Sequence, residues 1–186
     1  MRRDCRSLVQ PADHDLAQLR ALGEVVRALD ETDAHYWLFG GWAVDFHASA
    51  LTRHHTDLDL AVWLEDVPRI AARLAQDGWE HRPDPDEDGG TGFERGDVRL
   101  ELTYLARDDD GTYTPHGGGR RGRWSDEALG DDVAELGGIR ARVVALAPLA
   151  RSKSKPREDP EEAARDEADA AVLARLLTDR SDVTPS

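Results

Sequence analysis

The chain has 186 residues, a third of them charged, and a formal charge of −14. That length can bury a good core and reads as one domain, while so acidic a balance argues against a protein that grips nucleic acid through its phosphates. The charge suits simple solubility or a cationic small-molecule partner. One cysteine, Cys5, leaves no material for an internal disulfide framework or a cysteine zinc cluster. No apolar run approaches the ~20 residues of a bilayer span. The basic start Met1-Arg2-Arg3 lacks the apolar stretch of a secretory leader, so the expectation is a protein of the reducing cytoplasm, away from membranes.

Along the chain, Leu16, Leu19, Leu22, Val26 and Leu29 recur at helical spacing and predict an amphipathic helix over 13–31. A short buried strand follows at 36–39, and a helix over 41–50 behind the turn Gly40-Gly41. The run 57–64 alternates in its first half and turns continuously apolar, as a largely buried strand does. Pro68 opens a helix carrying Ile70 and Leu74 and stopped by Gly78. A strand at 79–82 and a polar loop at 83–90 come next. Two strands at 92–95 and 98–105 flank Gly96. Residues 108–123 are so rich in glycine, proline and polar side chains that they predict a mobile loop near a substrate entrance. A strand at 139–145, a helix from Pro148 (read at its first position) to Lys153, and a helix over 160–177 burying Ala164, Ala168, Val172 and Leu176 complete the reading. The core is expected at about 13–146, with a helical part at about 147–178.

Two features carry chemistry. Gly40-Gly41 opening a helix leaves bare N–H groups with room for a phosphate. Sixteen residues after Gly41 comes Asp57-Leu58-Asp59, whose period of two sets both carboxylates on one face of a strand and Leu58, Leu60 and Val62 on the other. Paired carboxylates repel unless a cation sits between them, so cradle and acids together point to a metal–nucleotide site.

Gly40-Gly41 with Asp57-x-Asp59 resembles the nucleotidyltransferase superfamily that includes DNA polymerase β. The longer stretch Phe39-Gly40-Gly41-Trp42-Ala43-Val44-Asp45, followed by Thr52-Arg53-x-His55-x-Asp57-Leu58-Asp59-Leu60, is similar to its small antibiotic-modifying members, the aminoglycoside 2''-adenylyltransferases and lincosamide nucleotidyltransferases. The resemblance is strong over 36–64 and implies an α/β (α+β) fold, a mixed sheet flanked by helices with a C-terminal helical segment. It implies two Mg²⁺ ions held by Asp57, Asp59 and a third acid, with ATP or another NTP as substrate. Glu101 is the best third acid: the alternation Val98-Arg99-Leu100-Glu101-Leu102 sets it on the face opposite the leucines, on a strand that a hairpin can bring beside 57–59. There it would serve as, or near, the base for the acceptor hydroxyl. An exposed Glu101 paired with Arg99 or Arg140 is the plain alternative, and Glu94 is the second choice.

Other positions stay open. Arg53 contacts phosphate or anchors Asp45 or Asp59; Asp45 is structural, and His55 a local hydrogen-bonder. Lys153 stands where the family often carries a phosphate-facing lysine, and only two of the 24 basic residues here are lysines. Lys155 or Arg157 could replace it. Arg165-Asp166-Glu167-Ala168-Asp169 resembles the family's Lys-Asp-x-x-Asp helix, or reads as surface salt bridges. The acid runs 84–88 and 108–110 attract a cationic acceptor or are solvated loop charge. Trp124 offers a stacking surface for a sugar or a base. The function implied is transfer of a nucleoside monophosphate to a hydroxyl of a small acceptor by a monomer or homodimer. An aminoglycoside is the first substrate choice and a lincosamide or other metabolite the second. A protein-modifying or non-catalytic NTP-binding module are the rival classes.

Overall fold

The computed structural model describes residues 9–83, 89–117 and 119–181; the acid run 84–88 and Cys5 lie outside them. The elements are α1 (Asp13–Glu31), β1 (Tyr36–Leu38), α2 (Gly40–Ala48), β2 (Leu58–Trp63), α3 (Val67–Gln76), β3 (Glu80–Arg82), β4 (Gly90–Arg95), β5 (Val98–Asp108), β6 (Gly111–His116), β7 (Gly119–Trp124), β8 (Val133–Leu136), β9 (Ile139–Arg142), α4 (Leu146–Lys153) and α5 (Pro160–Ser181). A mixed sheet runs β1-β2-β5-β4-β3, with β6 continuing from β5 and β7 from β6. β2 and β5 are parallel and their other neighbours antiparallel. β8 and β9 form a separate hairpin.

One face of the sheet buries Leu58, Leu60, Val62, Leu100 and Leu102 against α1 and α3, which bring Leu22, Val25, Val26, Leu29, Ile70 and Leu74. Each such side chain contributes about 1.5–3 kcal/mol. Alternation therefore decides the site: with the leucines inward, Asp59 and Glu101 must stand on the opposite face. α2 is nearly all apolar and wholly enclosed from Gly41 to Phe46, with α4 and α5 packed on its outer side.

Several expectations need correcting. Residues 108–123 are no loose loop: β5 runs on to Asp108, and β6 and β7 form an antiparallel hairpin upon it. Arg120 pairs with Asp108 and Asp110, so that acid run lines the hairpin, and the positive φ of Gly117 and Gly122 marks where the chain turns or kinks. Pro148 is the third residue of α4, not the first. The strand expected at 139–145 ends at Arg142 and is half of the β8–β9 hairpin. On α5, Ala164 and Ala168 are exposed while Asp166, Asp169 and Leu173 are buried. The buried stripe is rotated by one residue from the apolar one because polar groups occupy part of it. α1 shows the same effect: Leu16 is exposed, and Asp15 and Gln18 face inward.

Candidate active site

Asp59 and Glu101 are direct register partners across the parallel strands β2 and β5. Asp57, two residues before Asp59, adds its charge to the same place. Burial first, then Asp57 and Glu101, push the Asp59 carboxyl up to about 8; Lys153 and Arg53 pull it back only partly. A carboxylate this reluctant to ionise is crowded by its own kind and suits a hard divalent cation with oxygen ligands. As they stand, no three His, Cys, Asp or Glu side chains among the described residues converge tightly enough to enclose a metal, and Glu101 leans on Arg99 at 3.0 Å. Glu94 is across from Arg99 and Glu80 and binds Arg82, away from Asp59.

The glycine turn lies directly over the acids. The Phe39 N–H donates to the Asp59 carbonyl at 3.1 Å, and Gly40 takes a φ of +66° with its α-carbon against the Asp59 carboxylate. A Cβ there would strike Oδ2 and reach Cγ at 2.9 Å; one at Gly41 would strike Arg53 Nη2 and the His55 ring. Both glycines are thus needed by side chains of this chain, whatever else approaches them.

From α2 to β2 the chain runs through a strap, 52–55, whose four residues are tied to three buried aspartates on three helices. Thr52 gives its N–H and hydroxyl to Asp45 Oδ1, and His55 Nε2 meets Asp45 Oδ2 at 2.6 Å. A carboxylate only accepts, so the ring proton sits on Nε2. Arg53 forks onto Asp169 of α5 with bonds of 2.8 and 2.9 Å. His54 Nδ1 meets Asp15 of α1 at 2.7 Å. Trp42 stacks against His55 at 4.5 Å and donates to Gln18, whose amide in turn donates to the His55 carbonyl. Three helices therefore fix the stretch that delivers Asp57. Asp45 is structural, as expected, but its partners are Thr52 and His55.

Arg53 contacts neither Asp45 nor Asp59; its third nitrogen goes to the His54 carbonyl. Burial opposes its charge, and the bonds to Asp169 more than restore it. Lys153, near the end of α4, reaches Asp166 at 2.7 Å and Asp169 at 2.9 Å. Arg157 binds Asp166 and does not take the place of Lys153. Burial raises Asp166 and Asp169, but their cationic partners win and hold both below the ordinary carboxylate range. The surface-salt-bridge reading of this helix is overturned: Asp166 and Asp169 are 6% and 1% exposed. Sequence reasoning missed Asp169 as a site-building residue, although its place in the Lys-Asp-x-x-Asp-like stretch was the available signal. Trp124 stands edge-on to Phe39 at 5.6 Å, half-buried, with its indole N–H on Thr114.

The family description "aminoglycoside-2''-adenylyltransferase" matches residues 21–173. A 2''-aminoglycoside nucleotidyltransferase of Klebsiella pneumoniae is 37% identical over 46 residues, which are 25% of this chain and 26% of that protein. One of Escherichia coli matches to the same extent. The matched stretch thus spans about a quarter of the length of these curated relatives. Among solved structures, the antibiotic-resistance factor ANT(2'')-Ia superposes with a TM-score of 0.59 at 19% identity, covering 91% of this chain and 96% of that one. The lincosamide antibiotic adenylyltransferase LnuA, lincomycin-bound, gives 0.65 at 15% identity over 90% and 99%. At these identities the likeness establishes the fold.

Proposed function

The chain belongs to the aminoglycoside-2''-adenylyltransferase family, and from that premise we propose that it transfers a nucleoside monophosphate, AMP from ATP, to a hydroxyl of a small acceptor, an aminoglycoside-type antibiotic. The observation that carries the reading is the register pairing of Asp59 with Glu101 beneath the Gly40 turn, with Asp59 driven up to about 8 by burial and then by its acidic neighbours. Asp57, Asp59 and Glu101 are the residues to hold Mg²⁺, two ions in this reading, which when bound neutralises charge on the attacking and leaving oxygens. The acceptor oxygen attacks the α-phosphorus, the bond to the β-phosphate oxygen breaks, and pyrophosphate leaves. Glu101, released from Arg99, accepts the hydroxyl proton by position rather than by basicity. Lys153 has one ammonium N–H beyond its two carboxylate bonds for a phosphate oxygen. The chain's own work is positioning and electrostatics. The same reading takes the protein as one catalytic domain, monomeric or homodimeric, working in the cytoplasm without nucleic acid.

The test is pyrophosphate release from Mg·ATP against a panel of aminoglycosides, with lincomycin as a second arm and Asp57→Asn as control. Release with an aminoglycoside, abolished in the variant, supports the proposal. Release with lincomycin alone moves the acceptor class, and release unchanged in the variant overturns the assignment of the acids.

A further inference from the structure

We propose that Asp169 is a positioning residue for nucleotide binding, acting through Lys153 and resting on the reading of Lys153 as a phosphate contact. Asp169 is 1% exposed, and its two oxygens take three charged bonds. Oδ1 takes Arg53 Nε at 2.8 Å; Oδ2 takes Arg53 Nη2 at 2.9 Å and Lys153 Nζ at 2.9 Å. One carboxylate on α5 therefore holds a cation from α4 and a cation from the strap that leads to Asp57. Arg53 Nη2 lies against Gly41, next to Gly40, which rests on the Asp59 carboxylate, so the clamped cations stand beside the acid pair.

The division of labour between the two cations follows from their donors. Arg53 spends Nε and Nη2 on Asp169 and Nη1 on the His54 carbonyl, so it serves as a clamp. Lys153 spends two of its three N–H groups, on Asp166 and Asp169, and is 10% exposed along its side chain. An ammonium on a four-carbon stem is a mobile point charge until something anchors it. Asp166 holds Lys153 on Oδ1 and the partly exposed Arg157 on Oδ2, so it ties the ammonium toward the surface. Asp169 ties it instead to Arg53, which is fixed to the strap. Asp169 thus sets where the ammonium points, and its loss leaves Lys153 to swing toward Asp166.

The experiment measures binding of a non-hydrolysable ATP analogue with Mg²⁺ by titration calorimetry, on wild type, Asp169→Asn, Lys153→Met and the double variant, with thermal melts alongside. A charge-assisted contact is worth ~1.5–3 kcal/mol, about 10- to 100-fold in affinity, and Lys153→Met is expected to lose that much. Asp169→Asn is expected to lose about tenfold, and the double variant to bind no more weakly than Lys153→Met alone, because both changes remove one coupled function. Should Asp169→Asn not melt cooperatively, Asp169→Glu is read in its place. Weakened binding with a melting point close to wild type then supports the proposal, and wild-type affinity overturns it. Wild-type affinity in folded Asp169→Asn, or losses that simply multiply in the double variant, overturns the role of Asp169 while leaving Lys153 in place. An unaltered Lys153→Met or a wild type that binds no nucleotide overturns the underlying reading as well.

Discussion

Gly40→Ala isolates the contact between the glycine turn and the acid beneath it. Gly40 has a φ of +66°, and an added methyl meets the Asp59 carboxylate. Gly96 has a φ of +59° and nothing within 4 Å of a built Cβ. The backbone strain of a non-glycine residue in this region is ~1–2 kcal/mol at either position, while overpacking adds about 1–3 kcal/mol only at Gly40. The expected losses are therefore about 1–2 kcal/mol for Gly96→Ala and about 2–5 kcal/mol for Gly40→Ala. At about 2–4 °C per kcal/mol for a chain of this size, that separates the two melting points by several degrees. Urea unfolding monitored by tryptophan fluorescence and by circular dichroism measures both. Equal losses would refute the packing of Gly40 on Asp59, since the strain they share would then account for everything.

Asp45→Ala strips Thr52 and His55 of their buried acceptor and should lower stability by about 3–5 kcal/mol, the range for breaking a buried pair; a loss under ~1 kcal/mol in urea titration would contradict the strap's anchoring. Asp59 has a folded pKa raised from its ordinary 3.8 to about 8, so an unfolded chain ionises it across a window where the native chain resists. Asp59→Asn should therefore stabilise the metal-free protein by an amount that grows from about pH 4 to about pH 8, and a gain that is flat with pH in thermal melts would refute this. Asp166 and Asp169 have depressed pKa values; their contribution is complete above the ordinary carboxylate range and fades as pH falls through their lower folded values. A double Asp166→Asn, Asp169→Asn variant should accordingly lose its stability deficit relative to wild type in acid, as measured by melts from neutral pH downward.

The acidic face of the sheet was legible because alternation is unforgiving. Once Leu58, Leu60, Leu100 and Leu102 are core, Asp59 and Glu101 have one place to go, and the hairpin through β4 brings their strands together as expected. What stayed hidden was polar burial. Apolar periodicity cannot see Asp15, Gln18, Asp166 or Asp169 facing inward, because the partners that draw them in stand on other elements, as Arg53 does for Asp169 and Trp42 for Gln18. The β6–β7 hairpin was masked in the same way: its glycines read as looseness, whereas Thr112 and Thr114 are buried and Arg120 pairs with Asp108 and Asp110 and lies over Tyr113.

If Asp57 and Asp59 gather a divalent cation under a bound triphosphate, anomalous diffraction from a crystal soaked with Mn²⁺ and a non-hydrolysable ATP analogue will show it. A manganese peak is expected between these two carboxylates and the phosphates, absent in Asp59→Asn; analogue density with no metal peak beside either aspartate would refute the metal assignment.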